Sequence, residues 1–217
     1  TLDRSSAASD VYKRQTPCHS ALCLDGLSSS RLNPARLEGE PDVLTERPTL
    51  VWAGDCDALG NLMPPDCGPV HSPEPAHLLA GHDGWLDSHG LTHLRELWLS
   101  PDGTRLQGED SLAALDASAQ GRLDHLRPEA GLGFDIRFHL HPDIQARLDG
   151  DRVHLSLPGG EAWTFEHDRV GRLALEPSCL LDRTSAEPRP SQQIVVSGRL
   201  HGRAIQIGWT LARSGVR

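Results

Sequence analysis

The sequence predicts an all-β protein, an antiparallel β-sandwich of about ten strands with few or no helices. Three observations predict it. Short apolar runs alternate with polar residues at period two, turn signals built on Gly, Pro and Asp separate them, and 217 residues suffice for one large β domain that buries well over half the surface of its unfolded chain.

Residues 1–15 are set aside. Arginine supplies 20 of the 21 basic residues, and the only lysine, Lys13, sits beside the only tyrosine, Tyr12. The stretch TLDRSSAASDVYKRQ resembles a translated sequencing adapter, so it is expected to be a non-native leader, with the protein's own sequence extending further upstream and the β domain occupying residues 16–217. Strands are expected at His19 to Leu24, Thr49 to Ala53 and His77 to Gly81. Leu91 to Leu99 and Thr104 to Gln107 form a hairpin across Pro101-Asp102-Gly103. Ser111 to Ala119, rich in alanine and preceded by Asp110, is the one helix candidate. Gly133 to His141 shows the clearest strand: Phe134, Ile136, Phe138 and Leu140 point one way, Asp135, Arg137, His139 and His141 the other. Ile144 to Leu148 and Val153 to Leu157 pair through Asp149-Gly150-Asp151. Ala162 to Glu166, Gly171 to Leu175, Gln193 to Ser197 and the alternating Ile205, Ile207, Trp209 and Leu211 complete the set. Gly54 to Pro75 reads as a long loop, and Glu187 to Ser191, with Pro188 and Pro190, as a second loop.

Charge and motifs exclude several functions. A net charge of -9 leaves no basic excess for duplex nucleic acid or an anionic membrane, and no run approaches the roughly 18 apolar residues of a spanning helix. The nucleophile-elbow, phosphate-loop and dinucleotide-binding patterns are absent. Cys18, Cys23, Cys56, Cys67 and Cys179 match no zinc ribbon and read as free thiols, with Cys56 and Cys67 the one pair whose short loop could close. Glu109 and Asp110 are adjacent and point apart on a strand.

Twelve histidines raise a metal hypothesis that spacing can test. His89 and His93, if extended, lie about 13 Å apart at roughly 3.3 Å per residue. Ligands of one zinc ion need much closer approach, so His82, His89 and His93 read as solvated or hydrogen-bonded. His139 and His141 share one strand face about 6.6 Å apart, but no third ligand is identifiable and the polar face of a sheet accounts for them equally well.

Thr16-Pro17-Cys18-His19-Ser20-Ala21-Leu22 resembles the T-x-x-H-[SN]-x-L segment of the heparinase II/III-like polysaccharide lyases. Later blocks follow in that family's order: Gly81-His82-Asp83-Gly84-Trp85, Gly90-Leu91-Thr92-His93 continuing to Arg95, Gly108-Glu109-Asp110, Ile136 to Pro142, Gly160-Glu161-Ala162-Trp163 and Trp209 to Arg213. The resemblance implies the C-terminal β-sandwich of a two-part bacterial enzyme whose upstream α/α toroid is absent from this sequence. It implies β-elimination on an acidic polysaccharide such as a glycosaminoglycan: a base takes the proton alpha to a uronate carboxyl group and an acid assists the leaving oxygen. It further implies that the catalytic residues lie upstream, that none is in this chain, and that the chain alone is inactive. His19 maps onto a histidine that completes a zinc site in that family, so zinc is expected in the intact enzyme and none on this chain alone. A structural histidine at a strand start is the competing reading. Related lyases are often periplasmic, so a periplasmic location is what the resemblance, and not the chain itself, implies.

Arg137, His139 and His141 are the candidates for contact with substrate or with the toroid, because arginine pairs bidentately with carboxylates. A non-catalytic carbohydrate-binding sandwich is the alternative, which two or more tryptophans in a row on one open face would favour. A purely structural module is the third reading, favoured if the His139 face is covered by the chain's own loops.

Overall fold

The computed structural model describes residues 16–32, 44–46, 50–55, 76–126, 129–180 and 188–215. In chain order the strands are β1 Leu22–Leu24, β2 Arg31–Leu32, β3 Leu44–Glu46, β4 Leu50–Asp55, β5 Ala76–Trp85, β6 Leu91–Leu99, β7 Arg105–Ala113, β8 Leu132–His139, β9 Gln145–Asp149, β10 Arg152–Ser156, β11 Ala162–His167, β12 Arg172–Leu180, β13 Arg189–Leu200 and β14 Ala204–Arg213. A 3-10 turn covers Thr16–Cys18, and two helices, α1 Leu86–His89 and α2 Ala117–Leu126, interrupt the strands. Among the described residues no helix is long and apolar enough to cross a membrane.

The strands form two antiparallel sheets packed as a sandwich, plus the small β2–β3 pair. The smaller sheet has the order β1-β8-β13-β12 and the larger β4-β5-β6-β7-β14-β11-β10-β9. Period two decides which side chains meet between them. From the smaller sheet come Leu22, Leu24, Phe134, Ile136, Ile194 and Val196; from the larger, Leu112, Val153, Phe165, Ile207 and Trp209. Phe138 joins the layers, its ring centroid 4.9 Å from Phe165 and 4.8 Å from Trp209. Each fully buried Leu, Ile or Phe contributes about 1.5–3 kcal/mol relative to exposure.

Several local expectations need correction. The helix expected over Ser111 to Ala119 does not form there: Ser111 to Ala113 end β7, which lies between β6 and β14 and is held by ladders on both sides. Asp116, not Asp110, caps the real helix, its Oδ1 accepting the Ala119 N–H at 2.8 Å, as N-cap carboxylates do. Ala119 and Leu123, four residues apart on α2, are fully buried. The strand expected over His19 to Leu24 is confined to β1, with His19 and Ser20 in a bend before it. Arg189 to Ser191, read as loop, begin β13. Pro190 is tolerated there because β8 pairs with β13 only from Gln193 onward, so this end of β13 has a partner on one side alone, and a missing N–H costs little at an edge. Of the long loop, Gly54 and Asp55 belong to β4; residues 56–75, with Cys56 and Cys67, lie outside the described residues, as do residues 1–15.

Two glycines fix close approaches. Gly90 ends α1 at φ 69, where a Cβ would also stand 2.1 Å from the Ala119 carbonyl oxygen. At Gly108 a Cβ would meet the Trp209 ring at 2.1 Å. Gly108→Ala is therefore expected to lower stability by about 1–3 kcal/mol through overpacking, whereas Gly121→Ala, in open space on α2, raises it by about 0.5–1 kcal/mol. Urea denaturation midpoints check the pair; equal effects would contradict this packing.

Candidate functional site

The site is built from the inside outward, starting at one carboxylate. Along β7 the inward positions are Leu106, Gly108, Asp110 and Leu112, and this places an acid in the core, with Asp110 0% exposed. Register brings Arg95 of β6 opposite Asp110, and His82 of β5 opposite His93 of β6. Trp209 of β14 lies across from Gly108.

Asp110 accepts hydrogen bonds from three side chains. His93 Nε2 is 2.8 Å and Arg95 Nε 2.8 Å from Oδ1; Arg95 Nη2 is 3.0 Å and Trp209 Nε1 2.9 Å from Oδ2. Burial pushes the Asp110 carboxyl up, but the His93 hydrogen bond and the charge and hydrogen bonds of Arg95 outweigh it, and the group stays ionised below its ordinary value.

A chain of imidazoles extends from this acid, and its protons are fixed by elimination. The Gly84 N–H donates to His82 Nδ1 at 3.2 Å, so neutral His82 carries its proton on Nε2. That proton is donated to His93 Nδ1 at 3.2 Å, leaving the His93 proton on Nε2, facing Asp110. Burial pushes His82 down to about 4, with His93 reinforcing and Asp83 opposing the shift.

Arg95 carries the hub's influence to the smaller sheet. Its Nη1 donates to the Ser20 carbonyl at 2.7 Å. From the other side the His139 N–H donates to Ser20 Oγ at 3.1 Å, His139 Nε2 donates to the Pro17 carbonyl at 3.0 Å, and Ser178 Oγ donates to His139 Nδ1 at 2.8 Å. The segment 16–21 is thus held by both sheets, and it presents exposed His19 at its bend.

Of the residues singled out from sequence, Arg137 and His139 share the outer face of the smaller sheet beside this segment. Arg137 is already paired, Nη2 with Asp135 at 3.0 Å and Nη1 with Glu176 at 3.2 Å, while its buried Nε has no partner. His141 lies beyond the end of β8, exposed, 3.5 Å from Asp143. At the far end of the same face a hollow of about 460 Å³ lies between Asp25, Asp135, Arg172 and Ser197, and the Asp25 carboxylate is engaged by the Gly133 N–H at 2.7 Å. Cys23 and Cys179 are free thiols, and burial pushes Cys23 up to about 11. Among the described residues no three His, Cys, Asp or Glu side chains converge as a metal would need.

Sequence reasoning missed the hub. His82 and His93 touch across the β5–β6 ladder, a contact that spacing along a single strand hides, and His89 sits apart on α1 with Ser88 as its partner at 2.8 Å. The available signal was Asp110 itself, an acid in phase with Leu106 and Leu112. Among the described residues the tryptophans form no row: Trp85 and Trp209 are buried, Trp163 packs on the core, and Trp98 stands on the outer face of the larger sheet.

Asp110→Asn should cost about 2–4 kcal/mol, because it leaves the partly buried Arg95 guanidinium facing a neutral amide; a loss below 1 kcal/mol in chemical denaturation would show that the hub is not holding the sheets. The depressed His82 sets a pH dependence. Unfolded chains take up its proton near the ordinary histidine value and the folded protein only near 4, so stability falls as pH drops through that window, by on the order of 2 kcal/mol after allowing for partial solvent screening. His82→Gln flattens this slope in part, since burial also lowers His89 and His139; an unchanged slope in denaturation curves from pH 7 to 4.5 would contradict the assignment.

Known proteins resemble the chain in architecture, and one resembles it in sequence. Heparan sulfate lyase HepC of Pedobacter heparinus superposes with a TM-score of 0.64 at 13% identity, over 100% of this chain and 27% of that one. A heparinase III superposes at 0.58 with 9% identity, over 97% of this chain and 26% of its own. FtsZ-localized protein C of Caulobacter vibrioides is 37% identical over 139 residues, 61% of this chain and 22% of that protein's length. The chain thus spans about a quarter of each lyase structure and about a fifth of the curated relative. The family model described as heparinase II/III-like, C-terminal, matches residues 5–210. With that match running over nearly the whole sequence, the chain belongs to the heparinase II/III-like C-terminal domain family.

Proposed function

We propose that this sandwich is the C-terminal part of a polysaccharide lyase that cleaves uronic-acid-containing polymers by β-elimination, and that taken alone it does not turn over substrate. The full-length superposition on a heparan sulfate lyase supports the first half. The state of the titratable groups supports the second. β-Elimination needs a base at the carbon alpha to the carboxylate, an acid at the leaving oxygen and a group that neutralises the enolate. Here both nitrogens of His82, His93 and His139 are committed to internal hydrogen bonds, and Arg137 already faces two carboxylates. The described residues contribute instead a braced wall in which Arg137 and His139 hold the segment 16–21 and its neighbours, leaving exposed His19 as the group to face an upstream toroid and its substrate.

The identity to FtsZ-localized protein C exceeds that to either lyase, and it favours a second reading: a non-catalytic sandwich, carbohydrate-binding or structural, in a protein localized with FtsZ. One experiment separates the two. The longer protein that carries this domain is incubated with heparan sulfate and polygalacturonate, and the absorbance of the unsaturated product is followed, with the 217-residue chain alongside. Product from the longer protein only is the expected result. Product from the chain alone would overturn its inactivity, and no product from either would turn the assignment to the non-catalytic reading.

A further inference from the structure

The outer face of the larger sheet carries an aromatic platform with one open side. Cross-strand register sets His77 of β5 beside Trp98 of β6, and Trp98 beside Gln107 of β7. The His77 ring lies flat on the indole, centroids 5.1 Å apart and planes 8° from parallel, and its Nε2 is held 2.6 Å from Glu96. One indole face is thereby covered and the ring orientation fixed. On the β7 side a hollow of about 320 Å³ opens, lined by Trp98, Ser100, Arg105 and Gln107, at the small end of the size range for ligand sites. Its floor stays low because β14 places Thr210 opposite Gln107 and Ala212 opposite Arg105.

The lining is chemically specific. Arg105 and Gln107 are exposed, and among the described residues neither side chain has a hydrogen-bond or ion-pair partner. Among the described residues most other arginines are engaged, Arg122 and Arg172 being the further exceptions. The hollow therefore offers an apolar ring face, one uncommitted guanidinium, one uncommitted amide and no carboxylate. A pyranose ring presents an apolar C–H face to stack on indole and equatorial polar groups at its rim. A carboxylate on that rim matches the guanidinium fork, and a hydroxyl matches an amide that both donates and accepts.

We propose that this hollow is a binding subsite for a uronic acid residue, with Trp98 as the stacking platform, Arg105 as the carboxylate partner and Gln107 as a hydroxyl partner. It lies on the opposite sheet from His19 and Arg137, so it retains a polymer rather than taking part in its cleavage. The choice of a uronate as guest rests on the function proposed above; the platform and its unpaired groups do not.

The test is titration of the ¹⁵N-labelled 217-residue chain with an unsulfated glucuronate-containing tetrasaccharide and with its carboxyl-reduced counterpart. Expected are movements of the Trp98 indole N–H and the Gln107 amide signals, and a dissociation constant weakened about tenfold or more by Trp98→Ala. Arg105→Gln should remove the preference for the carboxylate form while leaving the fold unchanged, and it keeps the proposal testable if Trp98→Ala does not fold. Absence of binding, binding unaffected by both substitutions, or equal binding of the carboxyl-reduced sugar would overturn it. Uronate binding at Trp98, together with a longer protein that cleaves no uronate polymer, would retain the subsite and remove only the lyase reading.

Discussion

An ionised carboxylate placed in a protein core is destabilising by several kcal/mol unless donors of opposite polarity surround it. Asp110 is fully buried, and three side chains from two neighbouring strands meet that requirement: His93 and Arg95 from β6 and Trp209 from β14. The consequence is geometric as well as energetic. Shifting β6 or β14 by one residue against β7 would turn these donors to the other face, so the register at the centre of the larger sheet is tied to one charge. Arg95 then spends its remaining Nη1 on the Ser20 carbonyl, and the brace reaches the segment of the smaller sheet that carries His19.

Period-two alternation made β8, β14 and the β9–β10 hairpin legible, because each half-buried strand writes its inward face directly into the sequence. The turn chemistry of Pro101-Asp102-Gly103 placed the β6–β7 hairpin for the same reason, and Asp102 does hold Ser100 and Thr104 there. What failed was local composition. The alanine-rich stretch after Asp110 suggested a helix, but ladders on both sides of β7 override a modest propensity, and the helix starts only where Asp116 can cap it. The hub was hidden for a different reason. It depends on which residues face each other across β5, β6 and β7, and register between strands is not written in either strand alone; the turn of α1 between Trp85 and Leu91 obscures it further.

The domain distributes its chemistry over three surfaces. The core hub consumes its histidines in structural hydrogen bonds. The outer face of the smaller sheet neutralises Arg137 with Asp135 and Glu176 and uses His139 to pin the chain's own segment, which leaves His19 as the projecting group. The outer face of the larger sheet keeps Arg105 and Gln107 uncommitted next to Trp98. Membership of the heparinase II/III-like C-terminal family goes with this sandwich framework, and on the function proposed above its part is to support and present groups.

The central claim is that neutral His82 and His93 relay directionally into an ionised Asp110. Imidazole ¹⁵N–¹H correlation spectra at neutral pH test it most directly. The account predicts that both rings are neutral with the proton on Nε2, and that the Nε2 protons are protected from exchange. A doubly protonated His93, or a proton on Nδ1 of either ring, would contradict it.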